Sequence, residues 1–500
     1  MEFLGELIHL LKRTNPFSLE EIFPNESKAG RLFSAVLSGK IKTDEEAEQL
    51  IYNTTGHEKE YQAFKRNLTS VLSEIVFNTT LPGKNSLRHQ KLRLIGERKL
   101  ALVEKLLSQN VYHNAEKIAL KVKSSAERFQ LLDLEIACIK HLRTIYTLKG
   151  YPKNVEFYNV VLKRLNKQFH YEQDAAGFMD ILESKTKYSI GKYREIAEEA
   201  KHYSMQIREW QREISNPKLK LYQYKIDLIR CYHMNDVREW QYILSRITTQ
   251  VDKHPFLRTE ALLLYLNIEW ARYMRCIANI PEANAYVAKA LLQSDYAAFN
   301  RFVVQELNFD LKIKEENYEE AGKLIKEIRE TQQFYLLDPQ DRAAWLLREA
   351  YLYFIFSAGN DKEGVEKYLS FPAENFSVSD LIQACKAINK DKKGYNFMLA
   401  LIKECLMKHK HPTESESGSN NLLSYCQRYM KDACEERSKD FLKRFARLTR
   451  SELSNEDLKK ENKIRQTKVT PKNFDASELI PYESLNDLYI QRTVSLKIQQ

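Results

Sequence analysis

Four short corners in the middle of the chain repeat the same chemistry, because each places an asparagine between two apolar-periodic stretches. The asparagines are Asn235, Asn279, Asn317 and Asn360, which are 44, 38 and 43 residues apart. A two-helix unit with a period of about 40 residues is typical of an α-solenoid, in which each hairpin buries its apolar face against the next. The corners therefore predict a stack of helical hairpins.

The residue type at these corners has a physical reason. Asparagine tolerates the left-handed conformation in which many helices end, and it is also a good N-cap for the helix that follows. A small residue follows in three of the corners, namely Ala283, Ala321 and Gly364, and it lets the paired helices approach closely. Trp240 stands at that place in the first corner, so we expect wider packing there.

The composition favours helix over sheet throughout the chain. Only 14 glycines and 12 prolines occur in 500 residues, and no sustained alternation of apolar and polar residues is bounded by turn residues. Scarce helix breakers predict an all-α protein. The seven cysteines are scattered and form no C-x-x-C pair, which is typical of a reducing compartment, and no apolar run approaches the length of a membrane span. We therefore expect a cytoplasmic protein with no membrane association.

The sequence divides into four predicted parts. Residues 1–90 form a helical head, in which Thr43 and Glu46 make a capping box and an apolar stripe follows on the next helix. Residues 91–411 form the repeat array, most regular over 216–370. The Ser- and Glu-rich stretch 412–421 is a flexible loop, and residues 422–500 form a C-terminal helical cap. The predicted stripe of the head consists of Tyr61, Phe64, Leu68, Val71, Leu72 and Ile75.

One corner carries a resemblance to a known repeat family. Asn317, Tyr318, Glu320 and Ala321 resemble the turn and second-helix half of a tetratricopeptide repeat. The first-helix half departs, since Phe309 stands where that family has a small residue, and the period is longer. The resemblance covers roughly residues 92–370. It implies a right-handed α-α superhelix of helical hairpins, closed by helical N- and C-terminal caps, while the peptide-clamp residues of the family have no counterparts that can be placed here.

A looser resemblance extends over most of the chain. The order of a two-helix head, a helical array, the segment from Ile388 to Asn396 and the end from Glu478 to Leu485 is similar to uncharacterised intracellular helical-repeat proteins of Bacteroidota. This resemblance implies a bacterial cytosolic setting and brings no activity with it.

Charge is distributed unevenly along the chain. Residues 1–80 hold 9 basic and 12 acidic side chains, whereas residues 81–168 hold 18 basic and 7 acidic ones, so this one segment exceeds the net charge of +10 of the whole chain. Such asymmetry favours an anionic partner, and a lysine-rich solvated face is the alternative explanation. The candidate anionic-partner patch consists of Lys84, Arg88, Lys91, Arg93, Arg98 and Lys99.

Catalytic and metal-binding motifs are missing from the sequence. It contains no P-loop, no G-x-G-x-x-G, no G-x-S-x-G and no H-E-x-x-H, so we predict no enzymatic activity and no cofactor. Cys405, His409 and His411 are the one metal-like group, but a closed zinc site needs a fourth ligand. We therefore expect no metal site.

The preferred function is that of a scaffold which binds a protein or peptide on the concave face of the array, because aromatic and arginine side chains dominate interface energies. The alternative is nucleic-acid binding through the basic 81–168 segment, whose affinity would come from phosphate contacts. The candidate partner-binding residues are Tyr222, Tyr232, Trp270, Tyr273 and Arg275.

Overall fold

The chain is all-α wherever its structure is described, which confirms the predicted fold class: the described residues form seventeen helices, one 3-10 turn and no strand. Two compact units are present, Met1–Leu162 and Lys163–Gln500. The predicted boundaries at 90, 411 and 421 stay predictions. The computed structural model describes residues 4–5, 7–8, 23–24, 26–38, 41, 43–54, 56–78, 88–188, 193–234, 236–294, 299–335, 337–359, 361–370, 399–403 and 424.

The first unit is a succession of packed helices. Helix α4 packs against both α5 and α6, so contacts reach the next helix and the one after it, as in a stack of hairpins. Its elements are α1 (Lys28–Leu37), α2 (Asp44–Tyr52), α3 (Glu58–Asn78), α4 (Arg88–Ser108), α5 (Tyr112–Arg128), α6 (Leu132–Leu148) and the start of α7 (Pro152–Tyr188).

The head helices form as the sequence predicts. The Glu46 backbone N–H donates to Thr43 Oγ1 over 3.3 Å, and the Thr43 N–H donates to Glu46 Oε2 over 3.1 Å, which is the predicted capping box. Of the predicted apolar stripe on α3, Tyr61, Leu68 and Leu72 are buried. Val71 is the exception, with 46% of its surface exposed, because it lies beside the stripe that faces the neighbouring helices.

The second unit continues with paired helices. From α8 to α15 each helix packs on the next, α16 packs on α14 and α17, and the first helices α11 and α13 also contact each other directly. Its elements are the rest of α7, then α8 (Tyr193–Glu213), α9 (Pro217–Met234), α10 (Val237–Lys253), α11 (Glu260–Cys276), α12 (Ile280–Gln293), α13 (Phe299–Lys314), α14 (Tyr318–Glu330), α15 (Gln332–Tyr335), α16 (Pro339–Ala358) and α17 (Lys362–Tyr368).

The corners of the second unit use asparagine as an N-cap. Asn279 Oδ1 accepts a hydrogen bond from the Glu282 N–H over 3.4 Å, and Asn317 Oδ1 accepts one from the Glu320 N–H over 3.2 Å. Both asparagines have negative φ. The left-handed residue of each corner is therefore a different one, which lies one position earlier, at Ala278 and at Glu316.

The other two corners are capped by aspartate. Asp236 accepts from the Glu239 N–H over 3.0 Å, and Asp361 accepts from the Gly364 N–H over 2.8 Å. The sequence predicts these two corners at Asn235 and Asn360. Both asparagines lie outside the described residues. The four corners thus share a capping carboxamide or carboxylate oxygen at the start of the second helix.

The residues behind three of the corners are buried, whatever their size. Ala283 and Ala321 are completely buried where the second helix of each hairpin meets the first. Trp240 fills the corresponding place in the first corner and is 1% exposed, so a large ring is accommodated in the core there. The cysteines Cys138, Cys231 and Cys276 are buried thiols on helices and form no disulfide.

Candidate binding face on the first helices

The first helices of successive hairpins in the second unit carry polar side chains within otherwise apolar sequence. On α9 Tyr222 and Lys225 are three residues apart, and on α11 Glu269 follows Tyr265 by four, so each set shares one side of its helix. We call the following residues the first-helix face: Glu183, Tyr222, Lys225, Tyr265, Glu269, Arg272, Arg275, Glu306, Asp310 and Arg348.

Contacts join this face from α9 to α11. The Lys225 ammonium lies 4.4 Å from the centre of the Tyr265 ring on the neighbouring first helix. On α11 itself, Arg272 Nη1 donates to Glu269 Oε1 over 2.7 Å. Glu269 is 7% exposed, so its charge is compensated by the cations beside it and not by bulk water.

Ion pairs continue the face from α11 to α16. Arg275 Nη1 donates to Asp310 Oδ2 over 2.6 Å, which ties α11 to α13. Arg348 on α16 lies 3.4 Å from Glu306 and 3.7 Å from Asp310, which ties α13 to α16. Carboxylates and cations therefore alternate over three successive first helices.

Several charged side chains of this face are only partly exposed. The Arg272 and Glu306 side chains keep 40% and 28% of their exposure, so solvent reaches them. Burial is nevertheless the largest influence on both: it raises the pKa of Glu306, and it opposes the rise in the pKa of Arg272 that Glu269 brings about. These two side chains therefore lie between solvent and the protein interior.

Burial is also the largest cause of the shifted pKa of two charged side chains nearer to α7, Lys225 and Glu183. Burial lowers the pKa of the Lys225 ammonium against the opposing pull of Glu183 and Glu269. Burial also raises the pKa of the Glu183 carboxyl, with Lys225 acting in the opposite direction. The charges of Lys225 and Glu183 thus favour each other.

Three of the predicted aromatic anchors, Tyr232, Trp270 and Tyr273, belong to one chain of ring contacts. Tyr232 packs edge-on against Trp240, Trp240 against Tyr273 and Tyr273 against Trp270, with centroid distances of 5.8, 6.1 and 5.8 Å. Trp270 then stacks on Tyr286 at 5.9 Å. Tyr273 is 5% exposed and is a core residue, so it is not available as a surface anchor, while Tyr232 and Trp270 are half-buried.

The two remaining predicted partner-binding residues lie on the first-helix face. Tyr222 is half-buried. Burial raises the pKa of its hydroxyl, and the negative charge of Glu172 raises this pKa further. Arg275 also lies on the face, but its guanidinium is held by Asp310 and is only 12% exposed. Arg275 therefore organises the face and does not project from it.

The members of the predicted anionic-partner patch differ in exposure and in ion pairing. Lys84 lies outside the described residues, and Arg88 begins α4 with its side chain outside the description. Arg93 contacts two carboxylates, Glu97 over 3.2 Å and Asp133 at closer range. The other members differ in exposure, with Lys91 and Arg98 half-buried and Lys99 exposed.

Sequence reasoning missed most of the charged residues of the first-helix face. Their signal is a charge placed inside an apolar first helix, as in Ile268-Glu269-Trp270. It also missed a recurring contact in which a carboxylate of one helix accepts from a tyrosine and a lysine three or four residues apart on its neighbour. These triads are Asp44 with Tyr61 and Lys65, Glu116 with Tyr146 and Lys149, and Glu213 with Tyr171 and Lys167.

Comparison with protein-family models, curated proteins and solved structures finds no match to this chain. Among the helices that the structure describes, none combines the length and the apolar character needed to cross a membrane. Within the same residues no three His, Cys, Asp or Glu side chains are placed to hold a metal ion. Cys405, His409 and His411 lie outside the described part of the chain.

Proposed function

We propose that the protein is a non-enzymatic helical-repeat scaffold that binds a segment of a partner polypeptide along the first-helix face. The observation that supports this most directly is the row of partly buried, mutually paired charges on α9, α11 and α13, of which Arg272 and Glu306 remain in contact with solvent. Surfaces with a few fixed polar groups are typical binding sites, and their side chains are already oriented before a partner arrives.

The balance of charge on this face favours a polypeptide over a nucleic acid at this place. Its carboxylates are Glu183, Glu269, Glu306 and Asp310, and its cations are Lys225, Arg272, Arg275 and Arg348. A polypeptide offers both donors and acceptors to such a surface, whereas a nucleic-acid backbone requires a surplus of cations. Tyr222 and Tyr265 add apolar area beside the charges.

The alternative of nucleic-acid binding through residues 81–168 has weaker support. Arg93, at the centre of the predicted patch, is engaged by Glu97 and Asp133, so that binding a phosphate would require it to exchange these partners. Lys99 is exposed and remains suited to such a contact.

Site-specific photo-crosslinking tests the proposal. A photoreactive amino acid replaces Tyr265 or Arg272 on the first-helix face, and in a matched control it replaces Ala285, which is exposed on the second helix α12. We expect one defined polypeptide to be crosslinked from positions 265 and 272 and not from position 285. Crosslinking of equal strength from 285, or none from 265 and 272 in a protein with unchanged thermal unfolding, would contradict the proposal.

A further inference from the structure

Helix α10 has two faces of opposite character. One face is the core of its hairpin and includes Trp240, Ile243, Leu244 and Ile247, all of which are buried. Exposed side chains at helical spacing form a line along the opposite face, about 22 Å long for a rise of 1.5 Å per residue. This line, which we call the α10 stripe, consists of Arg238, Tyr242, Arg246, Thr249 and Lys253.

The α10 stripe is basic along its whole length. Three of its five residues are exposed cations, and none is acidic. Asp236 and Glu239, at the start of the helix, are engaged elsewhere, since Asp236 caps the helix and Glu239 binds Arg230. Asp252 is exposed but lies beside the stripe and not on it. The stripe itself therefore carries three cations and no acidic side chain.

An accessible aromatic ring lies at the centre of the stripe. Tyr242 is 59% exposed, and the Arg246 guanidinium lies 5.7 Å from the centre of its ring. Tyr224 of α9 also interacts with Arg246, and the two tyrosines together raise the pKa of its guanidinium. One cation of the stripe is therefore held in place beside the ring.

Two other second helices of this unit, α8 and α14, lack this combination. The exposed charges of α14 have mixed sign, with Lys323 held by Glu319 and Glu320. On α8, Arg212 is paired with Glu209. Surplus cations around an open ring are thus a local property of α10 among the second helices α8, α10 and α14.

We propose that the α10 stripe binds single-stranded nucleic acid, with a base stacked on Tyr242 and backbone phosphates on Arg238, Arg246 and Lys253. Base stacking on an aromatic ring, combined with a basic path for the backbone, is the physical basis of sequence-tolerant single-strand recognition. An acidic protein segment would use the cations but would not require the exposed ring. This inference goes beyond the proposed polypeptide binding and does not depend on it, because the stripe and the first-helix face lie on different helices.

Fluorescence anisotropy with a labelled oligothymidylate tests the inference on the full chain. For single strands the logarithm of the binding constant falls by about 0.7 per decade of salt for each phosphate contact. Arg238→Gln with Arg246→Gln should weaken binding at low salt at least tenfold and reduce the salt slope by about 1.4. Tyr242→Ala should weaken binding about fivefold or more, and Tyr242→Phe, which keeps the ring, should bind as the native protein does.

Controls separate the stripe from other basic surfaces. Lys326→Gln with Lys362→Gln removes two exposed cations that lie outside both the stripe and the 81–168 segment, and it should leave both affinity and salt slope unchanged. Labelled polyglutamate should bind more weakly than oligothymidylate. The inference is overturned if polyglutamate binds more tightly, if Tyr242→Ala binds as the native protein does, or if Lys99→Gln with Lys105→Gln abolishes binding while the changes to the stripe do not. Circular dichroism checks that each variant remains helical.

Discussion

Arg275 and Asp310 lie on the consecutive first helices α11 and α13 and form an ion pair of 2.6 Å, in which the side chains are only 12% and 13% exposed. Arg348 approaches the other oxygen of Asp310 from α16, at 3.7 Å. One carboxylate thus joins three helices of the stack. Because both partners are largely removed from water, each compensates the desolvation of the other.

Removing one partner of this pair should destabilise the protein strongly. We expect Asp310→Asn to lower the free energy of unfolding by about 2–4 kcal/mol, since Arg275 is left buried without a counter-charge. Urea unfolding followed by circular dichroism measures the change. Glu209→Gln is the matched control, because the Glu209–Arg212 pair of 2.7 Å is largely exposed and should matter little. Equal effects of the two substitutions would show that burial does not decide the strength of these pairs.

The period of the corners predicts the hairpins because caps and apolar spacing are local properties of the sequence. Asn279 and Asn317 were identified correctly as corner residues. Their left-handed role was wrong, since this conformation falls on Ala278 and Glu316, residues with no special preference for it. Chain closure between two packed helices determines which residue adopts positive φ, and a single sequence does not show this.

The candidate site could be predicted only in part, because helical spacing does not show which side of a helix faces a neighbour. Tyr273 and Tyr222 both occur within first helices, yet one is a core residue and the other lies on the first-helix face. The link between Arg275 and Asp310 spans 35 residues, and its existence depends on the stacking of α11 on α13. Long-range pairs of this kind follow from tertiary packing and have no local signal.

The corner at Ala278 offers a test of backbone strain. Its φ of 59° is costly for a residue with a side chain, so Ala278→Gly should stabilise the protein by up to about 1 kcal/mol. The same substitution at Ala288, an exposed position inside α12, should instead destabilise it by about 1 kcal/mol. Thermal unfolding of the two variants should therefore shift in opposite directions, and a shift in the same direction would rule out strain at the corner.

Two glycines inside helices should respond oppositely to alanine. A Cβ at Gly322 would lie 2.8 Å from Cγ and 2.9 Å from Cβ of Tyr368, whose hydroxyl is held by Glu319. Gly322→Ala should therefore destabilise the protein by about 1–3 kcal/mol through overpacking. A Cβ at Gly177 meets nothing within 4 Å, so Gly177→Ala should stabilise α7 by about 0.5–1 kcal/mol. Denaturation midpoints measure both changes, and a neutral Gly322→Ala would show that Tyr368 can move away.

His233 should make the stability of the second unit depend on pH. It is 8% exposed, its Nε2 lies 3.0 Å from Thr186 Oγ1, and burial lowers the pKa of its imidazole from 6.5 to about 4. The unfolded chain then takes up a proton near pH 6.5 while the folded chain does not. The stabilisation is fully present above pH 6.5 and is lost as the pH falls towards 4, by about 3 kcal/mol in total.

Urea unfolding at a series of pH values between 4 and 7 measures this loss, and His233→Gln provides the comparison because glutamine does not titrate. The variant should be less sensitive to pH over this window, even if its stability at pH 7 is lower. The unfolding free energy of the native protein minus that of the variant should therefore decrease as the pH falls, because only the native protein loses the contribution of His233. A constant difference from pH 7 to pH 4 would mean that His233 takes up its proton equally well in the folded and unfolded chains.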